Sequence, residues 1–353
     1  MRIAIVGPVY PFRAGIAYCA TRLAEELHAD VISFRRQYPK LFYPGRDDID
    51  PTLPRANAAF ILDILNPLTW LRARRQLREY DVVIFVWWIW VWAIPYRVMM
   101  WRLRRVILQC HNIGEKEPAW WKRALTNLVL RRANILVVHA NSEAEEAWKR
   151  TKRDVVKAFL PVHEIGVGVR TGFSRSVRRP AEAGPYTGPY TALFFGHIRP
   201  FKGLDIALEA WTRIKTNATL VVAGEPWFGF TAQPQPNVRF DLRFIPDAEV
   251  ADLFNAADVV IAPYRAEAQS GVAMTAFHFG KPVIASRVGG LPDIINDRNG
   301  ILVPPENPQA LADAVDEFFT ARDRAAMEHA ASESAQHYSW AEYANLFRRL
   351  LIR

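Results

Sequence analysis

Short apolar runs alternate with amphipathic stretches along the chain, the pattern of strands buried on both faces between helices. Residues 2–7 (RIAIVG) form the first run. Ile16 to His28 follows as a helix, with Ile16, Cys19, Ala20, Leu23 and Leu27 on one face. Further strands are predicted at Val31–Phe34, Val82–Trp87, Val106–Cys110, Ile135–His139 and Val155–Leu160. Residues 161–190 are dense in Pro and Gly, a linker composition. A second series then runs through strand Ala192–Phe195, helix Gly203–Ile214, strand Thr219–Ala223, helix Ala248–Ala256 and strand Val259–Ala262. Strand Ile301–Val303, helices near 308–320 and 322–336, and a last helix bearing Tyr343, Leu346, Phe347, Leu350 and Leu351 complete it. Two such series predict an α/β chain of two doubly wound, parallel-sheet domains, with a ligand cleft expected between them.

The second series is organised around Ile261–Gly300, IAPYRAEAQSGVAMTAFHFGKPVIASRVGGLPDIINDRNG. An apolar strand stops at Pro263, a small-residue loop spans Ala266–Gly271, and a helix is predicted over Val272–Phe279. Gly280 closes it before a strand at Pro282–Ala285. A Gly-bearing turn from strand to helix directs free N–H groups and the positive end of the helix dipole at one spot, which suits a diphosphate. The same turn also occurs simply as tight packing. In the first loop, GPVYPFRAG, Gly7 and Gly15 do not make a G-x-G-x-x-G fingerprint, which argues against a nicotinamide or flavin site. The loop can still bring backbone near a ligand at the carboxyl end of the strand. Arg13 is there either as a phosphate contact or as a solvated side chain. Asp48-Ile49-Asp50 has the look of a metal-binding carboxylate pair but sits in a Pro/Gly/Asp loop with no buried strand before it. It reads as a solvated turn, and no metal site is expected.

Length adds that 353 residues exceed one ordinary core and suit two. Cys19 and Cys110 lie in apolar surroundings and read as buried thiols of a reducing compartment. The opening MRIAIVGPVYPF reads as a first strand and lacks the features of a signal peptide. Charge is divided unevenly: 30 Lys and Arg against 16 Asp and Glu in residues 1–180, but 15 against 20 in 181–353. The basic half is expected to face an anionic partner.

Residues 82–105, VVIFVWWIWVWAIPYRVMMWRLRR, suggest what that partner is. The uncharged run is broken by Pro95 and ends at Arg97, too short and too Trp-rich to span a bilayer. Trp88, Trp90, Trp92 and Trp101 stand beside Arg97, Arg104 and Arg105, and Trp120-Trp121 precede a second basic cluster. Trp with Arg on an amphipathic helix marks a membrane interface. Alternatively, Trp87 and Trp88 end a core strand and the rest line an acceptor cleft or a partner surface. Aromatic stacking on nucleic acid is disfavoured, because no nucleic-acid module is present.

Four stretches together resemble the GT-B nucleotide-sugar glycosyltransferases, specifically the large retaining family 4. They are Gly196-His197-Ile198-Arg199-Pro200-Phe201-Lys202-Gly203, Val222-Ala223-Gly224, QSGVAMTAFHFGKPVIAS with Val288-Gly289-Gly290-Leu291-Pro292, and Asn299-Gly300-Ile301-Leu302-Val303-Pro304. The N-terminal half matches more loosely, through the Gly15 loop and Cys110-His111-Asn112. The resemblance implies a GT-B fold with a Rossmann-like acceptor-side domain at 1–165, a linker at 166–189, a donor-binding domain at 190–337, and a helix at 338–353 packing back toward the first domain. It implies that Arg199 and Lys202 hold the donor's diphosphate, which fits the physics: charge grows on the leaving nucleotide, and fixed cations bind it more strongly as it grows. Cations at a helix start also oppose the dipole, a cost that an anionic ligand removes. His111 would meet the transferred sugar. Gly196, Gly224, Gln269, Ser270, Gly271 and Val272 would line the donor, with Gly15 and Arg13 approaching from the first domain.

One departure concerns the family's two glutamates with seven residues between them. Glu267 occupies the first position, for the sugar, but Thr275 stands at the second, where the ribose is usually held; Gln269-Ser270-Gly271-Val272 reads as a variant of the pattern. In retaining enzymes of this fold the donor phosphate itself can accept the acceptor's proton. The expectation is therefore a metal-independent, retaining transferase with no obligatory cofactor. It would use a UDP- or GDP-sugar and a glycan or lipid-linked acceptor, in the cytoplasm or peripherally on the inner face of the membrane. A silent sugar-nucleotide-binding scaffold and a sugar-nucleotide epimerase are the alternatives.

Overall fold

A computed structural model describes residues 1–13, 15–38, 49–51, 53–113, 119–162, 190–227, 229–266 and 269–352. The chain divides into two compact units, Met1–Pro161 with Ser339–Arg353, and Val162–Tyr338. The expected linker, 166–189, lies outside the described residues, as do Asp48 and Glu267.

The first unit is built on a parallel sheet of β1 (Ile3–Val6), β2 (Asp30–Arg36), β3 (Ala59–Asp63), β4 (Val82–Trp87), β5 (Val106–Cys110), β6 (Ile135–Val138) and β7 (Asp154–Lys157). Their spatial order is β3-β2-β1-β4-β5-β6-β7. Helices α1 (Gly15–Leu27), α2 (Pro67–Leu77), α3 (Ala93–Met99), α4 (Trp120–Leu130) and α5 (Asn141–Thr151) connect them. Successive strand residues point to opposite faces, so each central strand must be apolar on both. In β4, Val83, Phe85 and Trp87 join one core with Leu77, Trp92, Tyr96, Met99 and Leu130. Val82, Ile84 and Val86 face the other side with Cys19 and Leu23 of α1.

The second unit has β8 (Tyr190–Phe195), β9 (Ala218–Ala223), β10 (Val238–Asp241), β11 (Val259–Ala262), β12 (Val283–Ser286) and β13 (Gly300–Val303), ordered β10-β9-β8-β11-β12-β13 and parallel throughout. Its helices are α6 (Leu204–Trp211), α7 (Asp247–Ala256), α8 (Gly271–His278), α9 (Pro308–Thr320) and α10 (Arg324–His337). Side-chain caps start several of them: Ser270 for α8, Asn307 for α9 and Asp323 for α10 each accept a backbone N–H three residues on.

The chain then returns to the first unit as α11 (Trp340–Ile352), which packs against α1. Its buried stripe is Trp340, Tyr343, Phe347, Leu350 and Leu351. Trp340 donates its indole N–H to the Tyr18 hydroxyl at 3.2 Å, and Arg348 donates to the Glu26 carbonyl at 2.7 Å. Arg105 donates to the Leu350 and Leu351 carbonyls at 2.7 and 3.1 Å, satisfying orphan acceptors at the helix end. This corrects the reading of Arg105 as a surface contact: it is a structural cap.

Trp92 is a second correction. It is fully buried, donates its indole N–H to the Gln37 carbonyl at 3.0 Å, and lies 4.4 Å between ring centroids from Phe34. A chain leaving a core strand at Trp87 and turning into a helix buries the aromatics of the turn. Trp88 is half-buried on the same cluster, with its N–H on the Tyr38 hydroxyl at 2.7 Å.

Candidate active site

In the second unit, three loops meet at the carboxyl edge of the sheet. Gly196 follows β8 with φ 99° and Gly224 follows β9 with φ 148°; a Cβ on Gly224 would lie 2.1 Å from the Gly196 carbonyl oxygen. Gly203, with φ 69°, lets the β8 loop touch the β11 loop, since a Cβ there would lie 2.0 Å from the Pro263 oxygen. The Arg265 N–H then donates to the Phe201 carbonyl at 2.8 Å. These close approaches require residues without side chains.

The loops hold two cations on aromatic faces. The Arg199 guanidinium stands 3.7 Å from the centroid of Trp227, and the Lys202 ammonium 3.8 Å from that of Tyr264. Trp227 donates its N–H to His197 Nδ1 at 2.8 Å, which fixes the indole. Arg265 donates to both Asp205 carboxylate oxygens at 2.8 and 2.6 Å, to Glu306 at 3.0 Å and to the Pro200 carbonyl at 2.8 Å. These hydrogen bonds raise its own pKa and lower that of Asp205. They pin the turn that carries Arg199 and Lys202.

The start of α8 reaches the same edge. The Ser270 hydroxyl accepts from the Ala273 N–H at 3.2 Å and lies 3.5 Å from the Tyr264 hydroxyl. No atom outside its immediate neighbours comes within 4 Å of a Cβ built on Gly271, whereas Val272 Cγ2 lies 3.6 Å from one built on Gly196. The first turn of α8, entered from Gln269, thus abuts the β8 loop with open space beside Gly271. The structure brings Gly196, Arg199, Lys202, Gly224 and Ser270–Val272 together. Thr275 does not join them: it is buried, and its hydroxyl donates to the Gly271 carbonyl at 2.9 Å. Its single donor is spent within its own helix, so toward a ribose the hydroxyl keeps only acceptor capacity.

In the first unit, Gly15 opens α1 with no atom outside its immediate neighbours within 4 Å of a built Cβ, and Arg13 lies two residues before it. His111 follows β5, its backbone N–H on the Trp87 carbonyl at 2.8 Å. His139, at the end of β6, stacks on it with ring centroids 5.1 Å apart and 29° between planes. His139 Nδ1 lies 2.9 Å from the Cys110 carbonyl, and its Nε2 2.9 Å from the Tyr343 hydroxyl. A carbonyl only accepts, so Nδ1 carries the proton and Tyr343 donates to Nε2. Gln109 donates in turn to the Tyr343 oxygen at 2.7 Å. Burial lowers the His139 pKa to about 4, and burial and the neighbouring His139 push His111 well below the ordinary histidine range. Both rings are neutral at pH 7. Nε2 of His111 is buried with no hydrogen-bond partner among the described residues.

Arg265, Trp227, Tyr264, His139 and Tyr343 were not singled out from sequence. Aromatics in loops read as core, and the second histidine of a stacked pair carries no spacing signal. Elsewhere on the first unit, Trp101 and Trp120 are exposed, at 51% and 83%, and Trp121 at 39% meets half-buried Trp90 edge-on at 4.7 Å. Arg97 is half-buried on α3 and Arg104 pairs with Asp81 at 3.2 Å. Among the described residues no group of three His, Cys, Asp or Glu is placed to hold a metal ion, and no helix is long and apolar enough to cross a membrane.

Two parallel α/β units of seven and six strands, each with its polar loops at the carboxyl edge, are the architecture of the GT-B fold, and the chain is a glycosyltransferase. Residues 189–321 match the family model described as glycosyl transferases group 1. The D-inositol 3-phosphate glycosyltransferase of Mycobacteroides abscessus is 27% identical over 326 residues, 86% of this chain and 71% of that one. Its counterpart in Mycolicibacterium smegmatis is 28% identical over 320 residues, 85% and 72% of the two chains. Among solved structures, Anabaena HepE in complex with UDP superposes with a TM-score of 0.72 at 18% identity, covering 99% of each chain. Sucrose-phosphate synthase from Thermosynechococcus elongatus gives 0.71 at 18%, covering all of both.

Proposed function

We propose that the chain transfers a sugar from a UDP-sugar to an acceptor hydroxyl with retention of configuration, without an obligatory metal, in glycan or glycolipid synthesis. The observation that carries this reading is the convergence of Arg199, Lys202 and the start of α8 at one sheet edge. Breaking the sugar–phosphate bond leaves charge on the departing diphosphate. Two cations held over Trp227 and Tyr264, in a turn pinned by Arg265, meet that charge without reorganising. The N–H groups of Gly271 and Val272 add the positive end of the α8 dipole. His111, neutral and pointing an unused nitrogen into its surroundings, is the sugar-facing group of the first unit. The donor phosphate takes the acceptor's proton. UDP is favoured as the nucleotide because HepE is a structural neighbour solved with UDP and UDP-glucose.

The acceptor is membrane-bound or lipid-linked. Exposed Trp101, Trp120, Leu68 and Ile94 on α2 to α4 and the adjoining turn, among arginines, support peripheral contact with an anionic bilayer.

A thermal-shift panel of UDP, GDP, ADP and dTDP tests the donor site. UDP at about a hundred times its Kd is expected to add roughly 2.7 kcal/mol, and Lys202→Ala to abolish the shift. Stabilisation by UDP that survives in both Lys202→Ala and Arg199→Ala sinks the assignment. Flotation with anionic vesicles at low salt tests the membrane contact.

A further inference from the structure

The first unit holds a feature that the proposed sugar transfer does not use. Helices α3 and α4 pack together and leave a cavity of about 410 Å³ lined by Arg97, Ala124, Asn127, Leu128, Arg131 and Arg132. That volume lies within the ~300–1,000 Å³ range of small-molecule sites.

Its charge is uncompensated. Among the described residues Arg97, Arg131 and Arg132 form no ion pair, and Glu146 on α5 is taken by Arg123 at 3.3 Å and Arg150 at 2.6 Å. Arg132 is pushed below its usual pKa by burial and by the charges of Arg97 and Arg153. Part of this placement has a structural cause. Arg131 and Arg132 follow the end of α4, where the dipole favours cations, and donate to the Arg150 and Leu103 carbonyls at 3.4 and 3.3 Å. Arg97 stands in the last turn of α3, where the dipole also favours a cation, but its side chain, unlike those of Arg131 and Arg132, has no hydrogen-bond partner among the described residues. Asn127 supplies a second, independent sign, since its Oδ1 is buried and unpartnered there as well. A buried amide oxygen without a partner is destabilising, and like charges gathered round a cavity add to that.

Helical spacing connects the cavity to the exposed tryptophans. Trp120, Ala124, Asn127 and Arg131 follow one stripe of α4, and Trp121, Ala124 and Leu128 the next. On α3, Ile94 lies one turn from Arg97. The cavity therefore opens on stripes whose exposed members combine apolar Trp120, Trp121, Ala124 and Leu128 with the charge of Arg131. A water-soluble anion has no use for such a rim.

We propose that this cavity binds the headgroup of an anionic phospholipid that carries a hydroxyl, of the phosphatidylglycerol type. Arg97, Arg131 and Arg132 bind the phosphate oxygens and Asn127 binds the hydroxyl. The site is separate from the donor site, which lies in the second unit. It rests on the membrane reading above only for the source of the phosphate.

The test uses the full chain and vesicles of phosphatidylcholine containing either phosphatidylglycerol or phosphatidylmethanol, which has the same charge and no headgroup hydroxyl. Arg72→Gln, on exposed α2, is the control for loss of one surface charge, and is expected to weaken binding about fivefold. Arg97→Gln removes one charge too, but is expected to lose about tenfold more. Asn127→Leu changes no charge and is expected to erase the preference for phosphatidylglycerol. Donor hydrolysis at the wild-type rate shows that each variant is folded. Equal losses in Arg97→Gln and Arg72→Gln, with no preference between the two lipids, overturn the pocket while leaving the membrane face standing. Titration with soluble sn-glycerol 3-phosphate separates the sources: Arg97-dependent binding of it, with no vesicle binding, overturns the lipid assignment. No wild-type binding to either vesicle or to the soluble phosphate overturns both the pocket and the membrane reading.

Discussion

Single residues at the donor edge are constrained by backbone contacts that leave no room for a side chain. At Gly224 a Cβ would meet the Gly196 carbonyl at 2.1 Å, so Gly224→Ala is expected to cost about 3 kcal/mol or more by denaturant titration. Gly271→Ala, facing open space in an ordinary helical conformation, is expected to be neutral or to stabilise by up to about 1 kcal/mol in the same titration yet to weaken UDP binding. Arg199, Lys202 and Gly196 were legible because their chemistry and spacing are local. Their aromatic platforms were not, since Trp227 and Tyr264 meet them only through the fold. His111 was legible and His139 was not, for the same reason. His139 titrates near 4 when folded and near 6.5 when unfolded. The unfolded chain therefore binds the proton first, and stability is full above pH 6.5 and falls as pH drops toward 4. The expected loss from this ring is about 3 kcal/mol, and urea titrations of His139→Gln across that window are expected to show a flatter profile.

At the level of elements, the central strands were read almost to the residue because burial on both faces forces an unbroken apolar run. The edge strands β3 and β10 were missed. Their sequences, AFILD and VRFD, are only partly buried and mix polar with apolar positions. The Trp run from 82 to 105 misled in a different way. It is three elements (a core strand, a tight turn and a short helix) and its aromatics divide between interior and surface accordingly. The last helix does more than fill space, because Tyr343 holds His139, and His139 holds both the Cys110 carbonyl and the face of His111. Tyr343→Phe is therefore expected to lower kcat about tenfold or more with little change in donor KM, and to cost about 1–2 kcal/mol of stability. A kcat matching the wild type would reduce the network to packing.

Across the whole molecule, the charge imbalance read from sequence corresponds to a basic first unit, while the proposed donor edge belongs to the second. Residues 64–133 carry thirteen Lys and Arg against four Asp and Glu, which alone equals the net charge of the chain. Vesicle binding is therefore expected to weaken steeply between low and physiological salt. Sequence could divide the chain into two series of elements, but the residue at which one core stops and the other begins is fixed by packing. That packing assigns Ser339–Arg353 to the first unit, with Tyr343 and Phe347 fully buried in it. A ribosome delivers these residues only after everything in the second unit. The body of the first unit consequently emerges before the second but is completed after it: until α11 arrives, the face of its sheet beside α1 stands uncovered, with Cys19 and Gln109 lacking their lid. The second unit is continuous in sequence and can close its core while the first still waits, so the half to which donor binding is proposed is the one that matures early.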